Sequence, residues 1–387
     1  MKTRKMKQIP YSHQCIEADD IQAVIKVLKS DRITQGPNIN EFEAALCKYT
    51  GAKYSVVVSS GTAALHIACL AAGLKPQDEV ITSPITFAAS ANCVLYCKAM
   101  PVFADIQPDT VNIDPQDTQN KLTKRTRAII PVHFAGHPCD MYELSRIAKS
   151  NNLTIIEDAA HALGADYKNS KIGSCRYSDM TIFSFHPVKS ITTGEGGVVM
   201  TNNKKLYDRL IKFRTHGITK HGFIYGCQGN WYYEMQELGF NYRITDIQAV
   251  LGKSQLSKLE RFILARRKIA AIYDNVFKGH PGFDLPVERG GIRSAYHIYS
   301  IQLKGKFSGK RKEIFDRLRN RGLGVQVHYM PVYMHPYYRQ NLGFKAGICP
   351  VAESYYSRAI SLPLYPSLTN TQVQAIVRVV KEVFNGA

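Results

Sequence analysis

"YSVVVSSGTAALHIACLAAG", residues 54–73, changes its periodicity within a few positions. Tyr54 to Val58 is a compact β-branched run, which suits a strand covered on both faces. From Gly61 onward Ala, Leu and Ile recur as on a buried helix. A strand running straight into a helix is the building unit of an α/β fold. The junction also puts Gly61 and Thr62 where the first amide groups of a helix lack intrahelical partners, and such a terminus attracts phosphate. Gly61 permits close backbone approach, and Thr62 adds a hydroxyl. The competing reading is that Ser60 or Thr62 merely caps the helix.

The same alternation continues on either side. "EADDIQAVIKVLKS" carries Ile21, Val24, Ile25 and Leu28 on one helical face, and "DRITQGPN" turns the chain into a second helix with Phe42, Leu46 and Tyr49. Further buried-strand candidates are "DEVITS", "MPVFAD", "RAIIPVHF", "LTIIED", "DMTIFSF" and "GGVVMT". A single long helix is expected over about 245–277. Beyond it the chain reads as a smaller α/β unit, with strands in "AYHIYSIQL" and "GLGVQVHYM" and helices near 309–321, 351–360 and 370–384. The expected division is a large domain over 1–260 and a small C-terminal domain over 261–387.

Composition narrows the class. A chain of 387 residues is long enough for two hydrophobic cores. No run approaches the roughly 20 apolar residues of a membrane helix. The basic start "MKTRKMKQIPYSHQ" has no apolar centre, so no export signal is expected. Nine cysteines, odd in number and without a C-x-x-C pair, fit reduced thiols in the cytoplasm and no structural zinc. Net charge is 50 − 31 = +19. That balance suits nucleic acid, an anionic small substrate, or neither. The basic stretches 261–268 and 309–321 alternate cations with apolar residues, as solvated helix faces do.

Two later junctions carry chemistry. Asp158 ends the run "LTIIED", at the strand edge where open α/β sheets hold ligands. An acid placed there needs a cationic partner, and a protonated ring nitrogen of a bound cofactor is one. A helix cap or a structural ion pair is the alternative. His161 stands three residues on, within reach of a ring substituent or simply packed. Lys189 follows the strand "DMTIFSF", in "FSFHPVKSITTGEGG". In an apolar site an amine loses its proton more readily and becomes a nucleophile. Taken alone, Lys189 reads as a solvated loop lysine, since lysines are usually solvated. Ser184, five residues earlier, reaches a phosphate if the chain turns after Phe185.

The order of these pieces, phosphate-binding helix start, strand-end acid, then lysine, resembles that of pyridoxal-phosphate enzymes with the aspartate-aminotransferase fold (fold type I). Within that fold the chain resembles the DegT-type sugar-nucleotide aminotransferases from about Tyr11 to the C-terminal helix. The motifs are "LKSDRITQGP", "SSGTAALH", "SPITFAASANC", "EDAAHALG", "FSFHPVKSITTGEGG", "GFNYRITDIQAVLG", "VHYMPVY" and "ISLPLYPSLT". The resemblance implies pyridoxal 5'-phosphate as cofactor, a large domain with a mostly parallel sheet, and a homodimer whose active sites are shared. By the same resemblance Lys189 carries the cofactor covalently and moves the proton, and Asp158 pairs with the ring nitrogen. Gly61, Thr62 and Ser184 would hold the phosphate, Phe87 would stack on the ring, and His161 would lie near the phenolic oxygen. Asn241 would reach the phosphate in the neighbouring subunit. Tyr11, Arg243, His328 and Tyr333 are the implied substrate contacts, against the alternatives of packed residues or, for Arg243, an ion pair.

Lysine rather than histidine at 189 favours amino transfer over dehydration within the family. The phrases "GSCRYSDMTIFSFHPVKSITTGEGG", "WYYEMQELGFNYR" and "VHFAGHPCDM" resemble the subgroup of pseudaminic acid biosynthesis. That subgroup transfers the amino group of L-glutamate to C4 of a UDP-4-keto-6-deoxy-N-acetylhexosamine. The alternatives are another nucleotide-linked keto sugar, of the perosamine or legionaminic type, or a non-catalytic basic binding protein suggested by the charge.

Overall fold

The computed structural model describes residues 8–385, so the basic stretch at the N-terminus lies outside the described residues. Seven strands form the central sheet. They are β1 (Tyr54–Val58), β2 (Glu79–Thr82), β3 (Met100–Phe103), β4 (Thr126–Ile130), β5 (Thr154–Asp158), β6 (Met180–Ser184) and β7 (Gly197–Thr201). Their spatial order is β1-β7-β6-β5-β4-β2-β3. Strands β2 to β6 pair in parallel, whereas β7 runs antiparallel to both β1 and β6. Two antiparallel steps leave β1 parallel to β6. The C-terminal ends of β1, β5 and β6 therefore reach one edge of the sheet.

Both faces of the sheet are covered. Val57, Ile129, Phe183 and Val198 enter one core with Phe42 and Leu46. Their strand neighbours Val58, Ile130, Ile182 and Val199 enter the other, against Ala64 and Ile67 of the helix Gly61–Ala71. Successive strand residues thus feed opposite cores, which is why these strands read as continuous apolar runs.

The C-terminal part builds its own core around an antiparallel sheet of Phe283–Asp284, Tyr299–Leu303 and Ala359–Leu362. The helix Leu259–Phe277 serves both parts, with Phe262 and Ile263 in the large core and Tyr273 and Phe277 in the C-terminal one.

Three expectations change. The helix expected over 245–277 is two helices, Asp246–Leu256 and Leu259–Phe277. Between them Ser257 Oγ donates to Ser254 O, and Lys258 Nζ turns to Asp19 and Asp20 at 2.7 and 2.6 Å. "GLGVQVHYM" is no strand. It makes only isolated bridges, Ile9 with Leu323 and Gln326 with Ser361, because it bends towards the cavity described below. The helix expected over 351–360 ends at Arg358, and the chain enters the strand Ala359–Leu362. All nine cysteines are free thiols. Among the described residues, no helix is long and apolar enough to cross a membrane.

Candidate active site

The three strand ends open on one cavity of about 480 Å³. At the end of β1, Ser60 caps the helix Gly61–Ala71 by accepting from Ala63 N at 3.0 Å. The amides of Gly61 and Thr62 have no acceptor among the described residues, and both residues line the cavity. Ser184, at the end of β6, closes the same corner. A Cβ on Gly61 would sit 2.9 Å from Ser184 Cβ, so only glycine lets strand end and helix start come this close. Two free amides, two hydroxyls and a helix N-terminus make a fitting cradle for a phosphate.

Asp158 ends β5 and is buried. Its Oδ2 accepts from Ser90 Oγ at 2.6 Å and its Oδ1 from Ala160 N at 3.1 Å. No ion pair involves it among the described residues. A buried carboxylate that faces a cavity and makes no ion pair suits a ligand that brings a cation, such as a protonated ring nitrogen.

After β6 the chain is held in a tight loop. Phe185 N donates to Gly196 O at 2.8 Å, Thr193 N to Phe185 O at 3.0 Å and Lys189 N to His186 O at 2.9 Å. The loop puts Lys189 into the cavity wall. Desolvation pulls its ammonium down to about 8, although the charge of Asp158 acts the other way. An amine so placed gives up its proton far more readily than a solvated lysine.

His161 lies beside them, buried, with Nε2 3.3 Å from Tyr329 Oη. Its Nδ1 is buried without a partner, and its ring lies 4.4 Å from that of His297. Burial, reinforced by the Lys189 charge, holds His161 neutral. His328 is pushed down to about 4 for the same two reasons, and its Nδ1 lies 2.8 Å from Ser361 Oγ. Tyr11 packs against His328, with ring centroids 5.5 Å apart. Phe87 is 63% exposed and projects onto the cavity, which sets aside ordinary core packing.

Nine of the twelve expected residues therefore share this wall: Tyr11, Gly61, Thr62, Phe87, Asp158, His161, Ser184, Lys189 and His328. Three do not. Tyr333 is fully buried in another cluster and donates to Glu353 Oε1 at 2.6 Å, so it packs away from the cavity. Its motif meets the cavity through Tyr329 instead. Asn241 is exposed and bridges to Thr215, away from the cavity of its own chain. Arg243 is also outside, half-buried, and makes no ion pair among the described residues. Sequence reasoning missed Thr86, Ser90, His186, Glu195 and Tyr329. For Ser90 a signal existed, since it follows Phe87 by one helical turn in "SPITFAASANC".

The DegT/DnrJ/EryC1/StrS aminotransferase family matches residues 14–381. A UDP-4-amino-4,6-dideoxy-N-acetyl-beta-L-altrosamine transaminase of Campylobacter jejuni is 40% identical over 363 residues, 93% of each chain. GDP-perosamine synthase of Escherichia coli O157:H7 is 35% identical over 382 residues, covering 98% of this chain and 100% of the relative. Among solved structures, Helicobacter pylori PseC, an aminotransferase involved in the biosynthesis of pseudoaminic acid, superposes with a TM-score of 0.91. It is 35% identical, with 98% of this chain and 100% of that one covered.

Proposed function

This chain belongs to the DegT/DnrJ/EryC1/StrS aminotransferase family and uses pyridoxal phosphate, and from that premise we propose its substrate and its residue roles. The reaction is amino transfer from L-glutamate to C4 of a UDP-4-keto-6-deoxy-N-acetylhexosamine, giving UDP-4-amino-4,6-dideoxy-N-acetyl-beta-L-altrosamine. The single observation that carries the residue roles is the meeting of Lys189, Asp158 and the Gly61 helix start on one cavity wall.

Pyridoxal phosphate, when bound, supplies an electron sink that makes the donor's Cα–H acidic. Gly61 and Thr62 amides, with the Thr62 and Ser184 hydroxyls, anchor the phosphate. Asp158 would hold the ring nitrogen protonated, because its buried carboxylate faces the cavity and makes no ion pair among the described residues. Phe87 covers the ring face. Lys189 would hold the cofactor through its Nζ, and that Nζ, as a neutral amine, would take the proton from the donor's Cα and return it across the site. Its low basicity suits this role, since a fully protonated amine accepts nothing. His161, kept neutral, lies near the phenolic oxygen. Tyr11 and His328 line the sugar side. The functional unit is a homodimer, with Asn241 and Arg243 serving the partner's cavity.

The substrate reading rests on the resemblance to the altrosamine transaminases and on the shared subgroup phrases. Purified protein is expected to be yellow and to lose its visible band on borohydride reduction. A glutamate-dependent assay on UDP-, GDP- and dTDP-4-keto sugars decides the acceptor. Turnover of a GDP-linked precursor, with none of the UDP-linked one, would replace the altrosamine reading with a perosamine-type one.

A further inference from the structure

Asp158 is held by a chain of hydroxyls that begins on another element. Ser90 lies in the helix Ala89–Tyr96 and is fully buried. Its one proton has three acceptors in reach, Asp158 Oδ2 at 2.6 Å, Thr86 Oγ1 at 2.7 Å and Phe87 O at 3.3 Å. The charged acceptor wins, because a carboxylate binds a hydroxyl about twice as strongly as a neutral acceptor does. With that proton committed, the 2.7 Å contact between Ser90 Oγ and Thr86 Oγ1 needs Thr86 as donor. The relay therefore has a direction, from Thr86 through Ser90 to Asp158. On the other carboxylate oxygen, Ala160 N supplies a second donor at 3.1 Å.

Packing alone does not call for these hydroxyls. The same helix buries Ala89, Ala91, Cys93 and Val94, and alanine and valine would fill the places of Ser90 and Thr86 without polar atoms to satisfy. The turn also carries Phe87, so one short segment sets both the ring-face contact and the carboxylate behind the ring nitrogen.

We propose that Ser90 and Thr86 are positioning residues whose relay fixes the orientation of Asp158 towards the cofactor's ring nitrogen. This rests on the reading given under Proposed function. It is tested with holoenzyme carrying pyridoxal phosphate isotopically labelled at the ring nitrogen, whose NMR resonance reports the proton there. In Ser90→Ala the resonance is expected to move towards the unprotonated value. The glutamate half-reaction should slow about tenfold with KM within about twofold, the scale of one lost charge-assisted hydrogen bond. Ser90→Thr should recover both. Thr86→Val leaves the contact to Asp158 in place and should shift the resonance in the same direction by less, so it carries the test even if Ser90→Ala folds poorly. A parental resonance and rate in Ser90→Ala or, should that variant not fold, an unmoved resonance in Thr86→Val overturns the proposal. So does Ser90→Thr behaving as Ser90→Ala. A parent protein that binds no pyridoxal phosphate would instead refute the function on which it rests.

Discussion

Lys189 is charged where charge is costly. Burial lowers its ammonium from 10.5 to about 8. Between those values the unfolded chain keeps a proton that the folded chain has lost, so stability rises with pH through that window. Below about pH 8 both states are protonated and the full penalty stands. Apo Lys189→Met is therefore expected to resist urea better than the parent near neutral pH, by about 2 kcal/mol. The gap should close as pH approaches the unfolded value. Equal midpoints near neutral pH would show that the lysine is solvated after all. The same variant should form no borohydride-reducible band, although it leaves the phosphate cradle intact. Asp158→Asn tests the other charge. It should still bind the cofactor yet slow the glutamate half-reaction by about two orders of magnitude, because a neutral amide does not hold the ring nitrogen protonated.

At the level of elements, the site depends on how β7 is inserted between β1 and β6. Gly197 stands opposite Val58 on one side and Ser184 on the other. A Cβ there would lie 2.4 Å from Ser60 O and 2.8 Å from Gly61 N, both backbone atoms. No side chain is able to yield, so Gly197→Ala has to displace the helix start itself. We expect a stability loss of about 3 kcal/mol together with weaker cofactor binding, measured by thermal unfolding and by titration of apo protein. Retained affinity would mean that the helix start does not hold the phosphate. This dependence was only partly legible in the sequence. "GGVVMT" reads as a strand from its apolar run, but a strand buried on both faces has the same pattern whether it runs parallel or antiparallel. Its direction comes from pairing across the chain. The break at Ser257 and Lys258 escaped periodicity for a similar reason, since the acids that turn Lys258 aside are Asp19 and Asp20, more than two hundred residues earlier. The segment 321–331 has strand composition, yet its backbone pairs only at single positions and otherwise serves to place His328 and Tyr329.

For the whole molecule, local motifs identified the residues of one cavity and left open which chain completes it. Tyr329 and Tyr333 share the motif "VHYMPVY" and differ only in which way the chain turns beneath them, which no pattern of four residues encodes. Asn241 and Arg243 pose the larger question. Neither reaches the cavity of its own chain, and among the described residues no arginine lines that cavity, although a nucleotide diphosphate calls for cations. Near them the chain exposes Ile224, Tyr225, Trp231 and Leu238, each at least 67% accessible, an apolar surface of the kind that associates. A shared-site dimer accounts for all three observations and predicts complementation. Lys189→Ala protein and Asn241→Ala/Arg243→Ala protein should each be nearly inactive. Mixed and allowed to exchange subunits, they form heterodimers in which one of two sites combines an intact Lys189 with an intact Asn241 and Arg243 from the other chain. With random exchange about half the dimers are mixed and half their sites are intact, so activity should return to about one quarter of the parent's, as two-fold symmetry of the sites requires. Recovery depends on the two residues acting across the interface. Should the mixture stay inactive while light scattering shows that subunits have exchanged, Asn241 and Arg243 act within their own chain, and the diphosphate must be met from the cavity's own wall.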